Sequence, residues 1–307
     1  MGHPENMRLG LVGCGRIAER GYVPALALAR SVRLAAVADP VRERCERVAP
    51  GVPAYGSAEE LLAAVEIDAL VLATPAEAHV ADARRATAAG VPLLVEKPPA
   101  PDIAGAAELA ALQPRPWIGF QRRFRPELAA LRERARDVAE PSLALELHAR
   151  RTAWDPYVSR DDALRDLAPH LVDLALWLSG RPVLAVSALI HALRAELVLE
   201  LDGGRARVSC AHDRSYLGLV EIRSNGRLIG RVREGGLARR IAIRLGLISN
   251  PLNLALAAQL EALARAVDGG DPAPLADAED GLAVMAAVDA ARRSAAAGGA
   301  TVAVNGA

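Results

Sequence analysis

Arg8-Leu-Gly-Leu-Val-Gly-Cys-Gly-Arg-Ile-Ala18 is the stretch that decides the fold, and Asp39 follows it twenty-one residues later. Arg8 to Val12 is a short apolar run that reads as a buried strand. Gly13 and Gly15 turn the chain, and Ile17 to Leu28 carries a helical pattern. Strand, glycine turn and helix together contain Gly13-x-Gly15-x-x-Ala18, the dinucleotide fingerprint in its G-x-G-x-x-A form. Gly13 permits the tight turn. Gly15 lacks the Cβ that would hold a pyrophosphate off the backbone, and Ala18 lets the helix lie close on the strand. The helix start at Arg16 and Ile17 then offers N–H groups and a positive dipole end to phosphates.

Working outward, Ser31 to Asp39 is a second strand that ends in an acid. An acid there accepts hydrogen bonds from the adenosine ribose 2′-hydroxyl; the alternative is a cap or turn aspartate ahead of Pro40. Asp39 favours NAD, because a carboxylate repels the 2′-phosphate of NADP, while the nearby Arg42 and Arg44 leave NADP open. From Arg8 to about Phe120 strands and helices alternate. Ser57-Ala-Glu-Glu60 opens one helix as a capping box. Such alternation calls for a parallel sheet covered on both faces. Ligands on these sheets sit at the carboxyl ends of the strands, which directs attention to Gly13, Asp39, Thr74 and Lys97.

After Gln121 the texture changes. Leu143, Leu145 and Leu147 alternate with other residues, and Asn225-Gly226 between two strand patterns is a two-residue hairpin signal. This is an antiparallel sheet with one wet face, interrupted by a helix at about Pro169–Ser179. Ile241, Ile243, Leu245 and Leu247 keep a period of two, which makes 235–248 a core strand or, alternatively, part of a subunit contact. Helices are expected at 252–267 and 282–296, with a terminal strand at 301–304. The expected fold is α/β plus α+β. A doubly wound Rossmann domain spans 1–120, and 121–307 forms an α/β domain on an open, mostly antiparallel sheet for substrate binding and oligomerisation. The last helix and strand are candidates to pack back on the first domain.

The 37 basic and 37 acidic side chains cancel, so nothing points to nucleic acid or an anionic membrane surface. No uninterrupted apolar run approaches membrane-spanning length. Met1 to Asn6 lacks the basic and apolar regions of a signal peptide. Cys14, Cys45 and Cys210 are scattered, without metal-ligand spacing or a disulfide framework. A cytoplasmic protein with reduced thiols and no metal is the expectation.

Glu96-Lys97-Pro98 ends the fifth strand and points a lysine at the nicotinamide end of a bound cofactor. Its ammonium polarises a carbonyl or holds a hydroxyl; the bland alternative is a surface lysine before a turn. Thr74-Pro75 ends the preceding strand, and Thr74 reaches a cofactor ribose or phosphate through backbone and hydroxyl. His79 follows one turn into the next helix, either touching ligand or capping and packing. Asp166-Leu-Ala-Pro-His170 places a carboxylate and an imidazole on one face if helical. Histidine suits the proton shuttle of a secondary alcohol whose hydride leaves for nicotinamide. Pro169 favours a first helical turn, which would set Asp166 just before the helix. A structural pair is the alternative.

Taken together the chain resembles the glucose–fructose oxidoreductase/inositol dehydrogenase (Gfo/Idh/MocA) family. The resemblance runs through Gly13-x-Gly15-x-x-Ala18, Ala38-Asp39, Ala73-Thr74-Pro75 with His79, and Glu96-Lys97-Pro98. It continues through Gly119 to Pro126 and Asp166 to Asp173. It implies Lys97, Asp166 and His170 as catalytic residues, His170 as acid/base and Lys97 positioning the reacting oxygen. Residues and resemblance together set the expected cofactor contacts at Gly13, Gly15, Arg16, Ile17, Asp39, Thr74, Pro75, His79, Glu96, Lys97 and Arg123. Expected substrate contacts are Lys97, Arg123, Trp154, Tyr157, Asp166 and His170. The family usually approaches the Asp-x-x-x-His helix through glycines, whereas this chain has Ser159-Arg-Asp-Asp-Ala163, so no particular substrate transfers. Arg150, Arg151 and Arg160 bind a substrate anion or are solvated surface charges.

The resemblance therefore implies an NAD(P)-dependent oxidoreductase that interconverts a secondary alcohol and a ketone on a sugar, cyclitol or related polyol. It also implies a homodimer or homotetramer through the C-terminal sheet. A glycoside-cleaving enzyme with transient oxidation and a non-catalytic dinucleotide-binding regulator are the alternatives.

Overall fold

Residues 6–150 and 162–304 are described by the structure, a computed structural model. The chain begins β1 (Met7–Val12), one π-helical turn (Ala18–Tyr22), α1 (Val23–Leu26), β2 (Val32–Ala38), α2 (Arg42–Val48) and β3 (Ala54–Tyr55). It continues α3 (Ala58–Ala64), β4 (Ala69–Leu72), α4 (Ala76–Ala88), β5 (Leu93–Val95), α5 (Ile103–Ala111), β6 (Trp117–Ile118) and a 3-10 turn (Gln121–Phe124). Then come α6 (Pro126–Ala135), β7 (Pro141–His148), α7 (Ala163–Asp166), α8 (Ala168–Ser179), β8 (Val183–His191), β9 (Arg194–Leu201) and β10 (Gly204–Ala211). The rest is β11 (Leu217–Ser224), β12 (Arg227–Gly235), α9 (Leu237–Arg244), α10 (Pro251–Val267), β13 (Ala276–Asp277), α11 (Ala278–Ala296) and β14 (Val302–Ala303).

These elements form two compact units. The first runs to Phe124 and takes back Asn250–Gly281; the second comprises Arg125–Ser249 and resumes at Leu282. In the first unit the strand order is β13-β6-β5-β4-β1-β2-β3. All pairs are parallel except β13 on β6. Chain order reverses between β1 and β4, which is the crevice where dinucleotides bind on a doubly wound sheet. The strands read as unbroken apolar runs because helices cover both faces: Ala69 to Leu72 are all fully buried. The core around β1 and β2 is closed by α10, whose Leu256, Leu260 and Leu263 lie in one cluster with Leu9, Leu11 and Tyr22.

In the second unit the order is β12-β11-β7-β10-β9-β8-β14, antiparallel throughout except for β7 beside β10. Leu143, Leu145 and Leu147 are buried as their alternation predicts. Asn225 and Gly226 both take left-handed φ values, 48° and 77°, and join β11 to β12 as a tight hairpin. The terminal strand pairs with β8 inside this same unit. No helix among the described residues is long and apolar enough to cross a membrane.

Where a strand is expected over 235–248, Leu237–Arg244 form the helix α9. Gly235 and Gly236, at φ 98° and 103°, end β12 and release the chain. Leu237, Ile241 and Leu245 recur every fourth residue, a spacing that a helix aligns on one face and that a period of two also satisfies. Their exposure, 65%, 48% and 67%, removes them from the core of the chain.

Candidate functional site

The glycine loop lies at the end of β1. The Gly13 N–H donates to the Ala38 carbonyl (2.7 Å), and Gly13 has φ +95°. A Cβ built there would stand 2.6 Å from the Ala73 carbonyl oxygen, so only glycine passes between β1 and the loop after β4. Gly15 is different, because nothing lies within 4 Å of its would-be Cβ. The first glycine is closed in by protein, and the second faces open space.

Asp39, at the end of β2, is buried, with each carboxylate oxygen engaged. Oδ2 accepts the Cys14 N–H (2.9 Å) and Oδ1 the Val41 N–H (2.9 Å), while Arg44 Nη1 lies 3.6 Å from Oδ1. A carboxylate has about four lone-pair sites, so it braces the loop and retains acceptor capacity for ribose hydroxyls. The Cys14 thiol beside it lies 3.6 Å from Cys45 Sγ. Burial pushes Cys14 far above the usual thiol range, which makes it a packing group and not a nucleophile.

Thr74, past the end of β4, has a buried Oγ1 without a hydrogen-bond partner among the described residues. Buried hydroxyls are normally paired, and the space before Gly15, the Asp39 carboxylate and this orphaned oxygen together fit a dinucleotide. His79 is fully buried, Nε2 2.8 Å from the Thr74 carbonyl and Nδ1 3.1 Å from that of Pro99. It ties the loop after β4 to the loop after β5, so its influence on a cofactor passes through those loops. Burial lowers its pKa.

Lys97 follows β5 and is half-buried; a cis peptide joins it to Pro98. Behind it Glu96 is buried, accepting the Tyr22 hydroxyl at Oε1 (2.6 Å) and the Lys97 N–H at Oε2 (3.1 Å). Burial raises the Glu96 carboxyl, opposed by the Tyr22 hydrogen bond. Arg123, in the 3-10 turn, is buried and donates from Nη1 to Asp280 Oδ2 (2.9 Å).

In the second unit Asp166 closes α7 and His170 lies in the first turn of α8, with Pro169 among its opening residues. The proline thus begins a new helix and does not break one. His170 is buried and Asp166 partly so. His212, one residue past β10, brings Nε2 within 3.1 Å of Asp166 Oδ2. The sequence reading missed it; the available signal was a histidine directly after an alternating strand. His148 ends β7, the neighbour of β10, and burial lowers its pKa. Lys97 belongs to the first unit, Asp166 and His170 to the second. Arg150 is exposed, whereas Arg151, Trp154, Tyr157 and Arg160 lie outside the described residues. No group of three or more candidate metal ligands occurs among the described residues.

Comparison with known proteins adds three findings. A family model described as an oxidoreductase family with an NAD-binding Rossmann fold, GFO_IDH_MocA, matches residues 7–115. Inositol 2-dehydrogenase 4 of Saccharopolyspora erythraea is 34% identical over 191 residues, 59% of this chain and 56% of that protein. The chain thus spans a little over half the length of that relative. Inositol 2-dehydrogenase of Rhizobium meliloti is 28% identical over 327 aligned positions, covering 94% of this chain and 96% of its own. Among solved structures, a myo-inositol dehydrogenase from Corynebacterium glutamicum superposes with a TM-score of 0.80 at 23% identity, covering 98% of this chain and all of that one. This last likeness concerns the fold.

Proposed function

We propose that the chain is a Gfo/Idh/MocA oxidoreductase, its residues 7–115 matching the NAD-binding Rossmann model of that family, and that it is an NAD-dependent dehydrogenase of polyols. It interconverts a secondary alcohol and a ketone on a cyclitol, sugar or related compound. The observation that carries this reading is the placement of Asp166 and His170 on either side of the α7–α8 junction. A family dinucleotide unit with Lys97 at a strand end supports it. The inositol dehydrogenases among the relatives make a cyclitol the first substrate to try.

Bound NAD supplies the hydride acceptor. Asp39 receives the adenosine ribose, the N–H groups after Gly15 receive the pyrophosphate, and Thr74 Oγ1 gains the partner it lacks. Lys97, held from behind by Glu96, stabilises negative charge on the substrate oxygen. His170 takes the hydroxyl proton in oxidation and returns it in reduction, and Asp166 orients substrate or His170. Arg123 borders cofactor and substrate from its ion pair with Asp280. The open sheet exposes Leu184 and Leu189 on its outer side, and we assign association of two or four copies to that face.

Calorimetric titration of NADH and NADPH into the cofactor-stripped protein, followed by a polyol panel with the tighter cofactor, tests the reading. His170→Ala and Lys97→Ala are expected to lose most turnover while retaining NADH binding. Wild-type turnover in both variants, or binding of neither nucleotide, overturns it.

A further inference from the structure

His212 entered neither the sequence reading nor the reaction as written above. Its imidazole is buried, and Nε2 meets Asp166 Oδ2 at 3.1 Å. An ionised carboxylate only accepts, so Nε2–H is the donor of this bond. Among the described residues Nδ1 is buried with no hydrogen-bond partner, so the ring's hydrogen bond there is the one to Asp166.

The segment that carries the ring is fastened twice. The His212 N–H donates to the Leu193 carbonyl (2.8 Å), between β8 and β9. The next residue, Asp213, is gripped by the Arg194 guanidinium, with Nε 2.9 Å and Nη2 2.7 Å from Oδ2. Asp166 closes the four-residue α7, whose Ala163 and Leu164 are fully buried and whose start Asp162 caps by accepting the Arg165 N–H (2.7 Å). A firmly held donor thus meets a carboxylate whose backbone is fixed but whose side chain turns about its own bonds.

We propose that His212 is a positioning residue for Asp166, fixing the rotation of its carboxylate at the α7–α8 junction so that substrate or His170 meets one orientation. The inference rests on the dehydrogenase reading of Asp166 and His170. His212 touches neither substrate nor cofactor in this role and acts through Asp166 alone.

The test uses the full chain with His212→Ala, His212→Gln, Asp166→Ala and the double variant His212→Ala/Asp166→Ala. All are screened first for NADH binding and thermal unfolding, then assayed with NAD and myo-inositol. His212→Ala is expected to lower kcat about 10- to 100-fold, the usual cost of an orienting partner, with KM for NAD unchanged. His212→Gln, which keeps an N–H donor, should recover to within a few-fold of wild type. In the Asp166→Ala background the loss of His212 should cost nothing more. The ¹⁵N imidazole spectrum should show His212 protonated at Nε2, with that resonance moving in Asp166→Ala. An unmoved resonance, or an equal loss of kcat with and without Asp166, overturns the proposal. If His212→Ala does not fold or myo-inositol is not turned over, the spectrum decides. Asp166→Ala with full turnover overturns the catalytic reading itself. An inactive Asp166→Ala beside a fully active His212→Ala overturns the role of His212 only.

Discussion

Two glycines two positions apart make opposite demands. Gly13 is held at positive φ against the Ala73 carbonyl, so Gly13→Ala adds both a backbone penalty and a clash. The left-handed backbone alone costs about 1–2 kcal/mol, and thermal unfolding should show a lowered Tm before any ligand is added. Gly15 faces open space, so Gly15→Val should leave Tm nearly unchanged, yet its isopropyl group fills the approach of the pyrophosphate. NADH affinity should fall at least about tenfold, or ~1.4 kcal/mol, in calorimetry. Equal damage to Tm in both variants would contradict this division. Tyr22 and Glu96 carry a second residue-scale prediction. Burial raises the Glu96 carboxyl above its ordinary 4.5, so the folded chain keeps that proton to higher pH than the unfolded chain does. This linkage favours the fold below about 4.5 and is lost as pH rises through the folded value. Tyr22→Phe removes the donor that eases the ionised form, and a buried unmet carboxylate oxygen costs about 1–3 kcal/mol or more. Urea unfolding should therefore show the variant's deficit growing from pH 4 to pH 7; a deficit independent of pH would sink the argument.

At the scale of elements, local chemistry was legible where one residue type dictates one geometry. Ser57 accepts the Glu60 N–H (3.1 Å) as an N-cap, and Glu60 reaches back to the Gly56 N–H (2.9 Å), one position earlier than the usual box. Ser57→Ala should cost about 1 kcal/mol in chemical denaturation, while Glu60→Gln, which preserves an acceptor, should cost less. Strand-to-loop transitions at Gly13, Asp39, Thr74 and Lys97 were readable because apolar runs end there. Over 237–245 the reading failed because apolar residues four apart satisfy both a helix and a strand, and the stop signal, Gly235-Gly236, was not given its weight. His212 was hidden for a different reason. Its meaning depends on a carboxylate 46 residues earlier, and a pairing between distant segments leaves no local pattern. The expected shared face of Asp166 and His170 rested on one helix, with Pro169 as the sign that Asp166 could precede it; the structure ends the four-residue α7 at Asp166 and opens the twelve-residue α8 at Ala168, the two meeting at Leu167.

Across the whole molecule, the return of the chain to the first unit has an energetic consequence. Leu256, Leu260 and Leu263 of α10 are fully buried in the cluster that also holds Leu9, Leu11 and Tyr22. Each buried leucine contributes about 2 kcal/mol, so three amount to roughly 6 kcal/mol, within the ~5–15 kcal/mol net stability of a whole domain. Glu261 adds an anchor by accepting the N–H groups of Arg30 and of Ser31, the latter at 3.0 Å. The nucleotide unit is therefore not a contiguous N-terminal module, although its fingerprint, its parallel strands and the family match all lie before residue 124. A fragment ending at Phe124 exposes the face that α10 covers and should be unfolded or aggregated, with broad amide resonances and no NADH binding. Joining residues 250–281 to that fragment through a flexible linker restores the missing apolar face and should recover a cooperative unfolding transition together with NADH binding. Folding and cofactor binding by the shorter fragment alone would mean that α10 contributes far less than its burial implies.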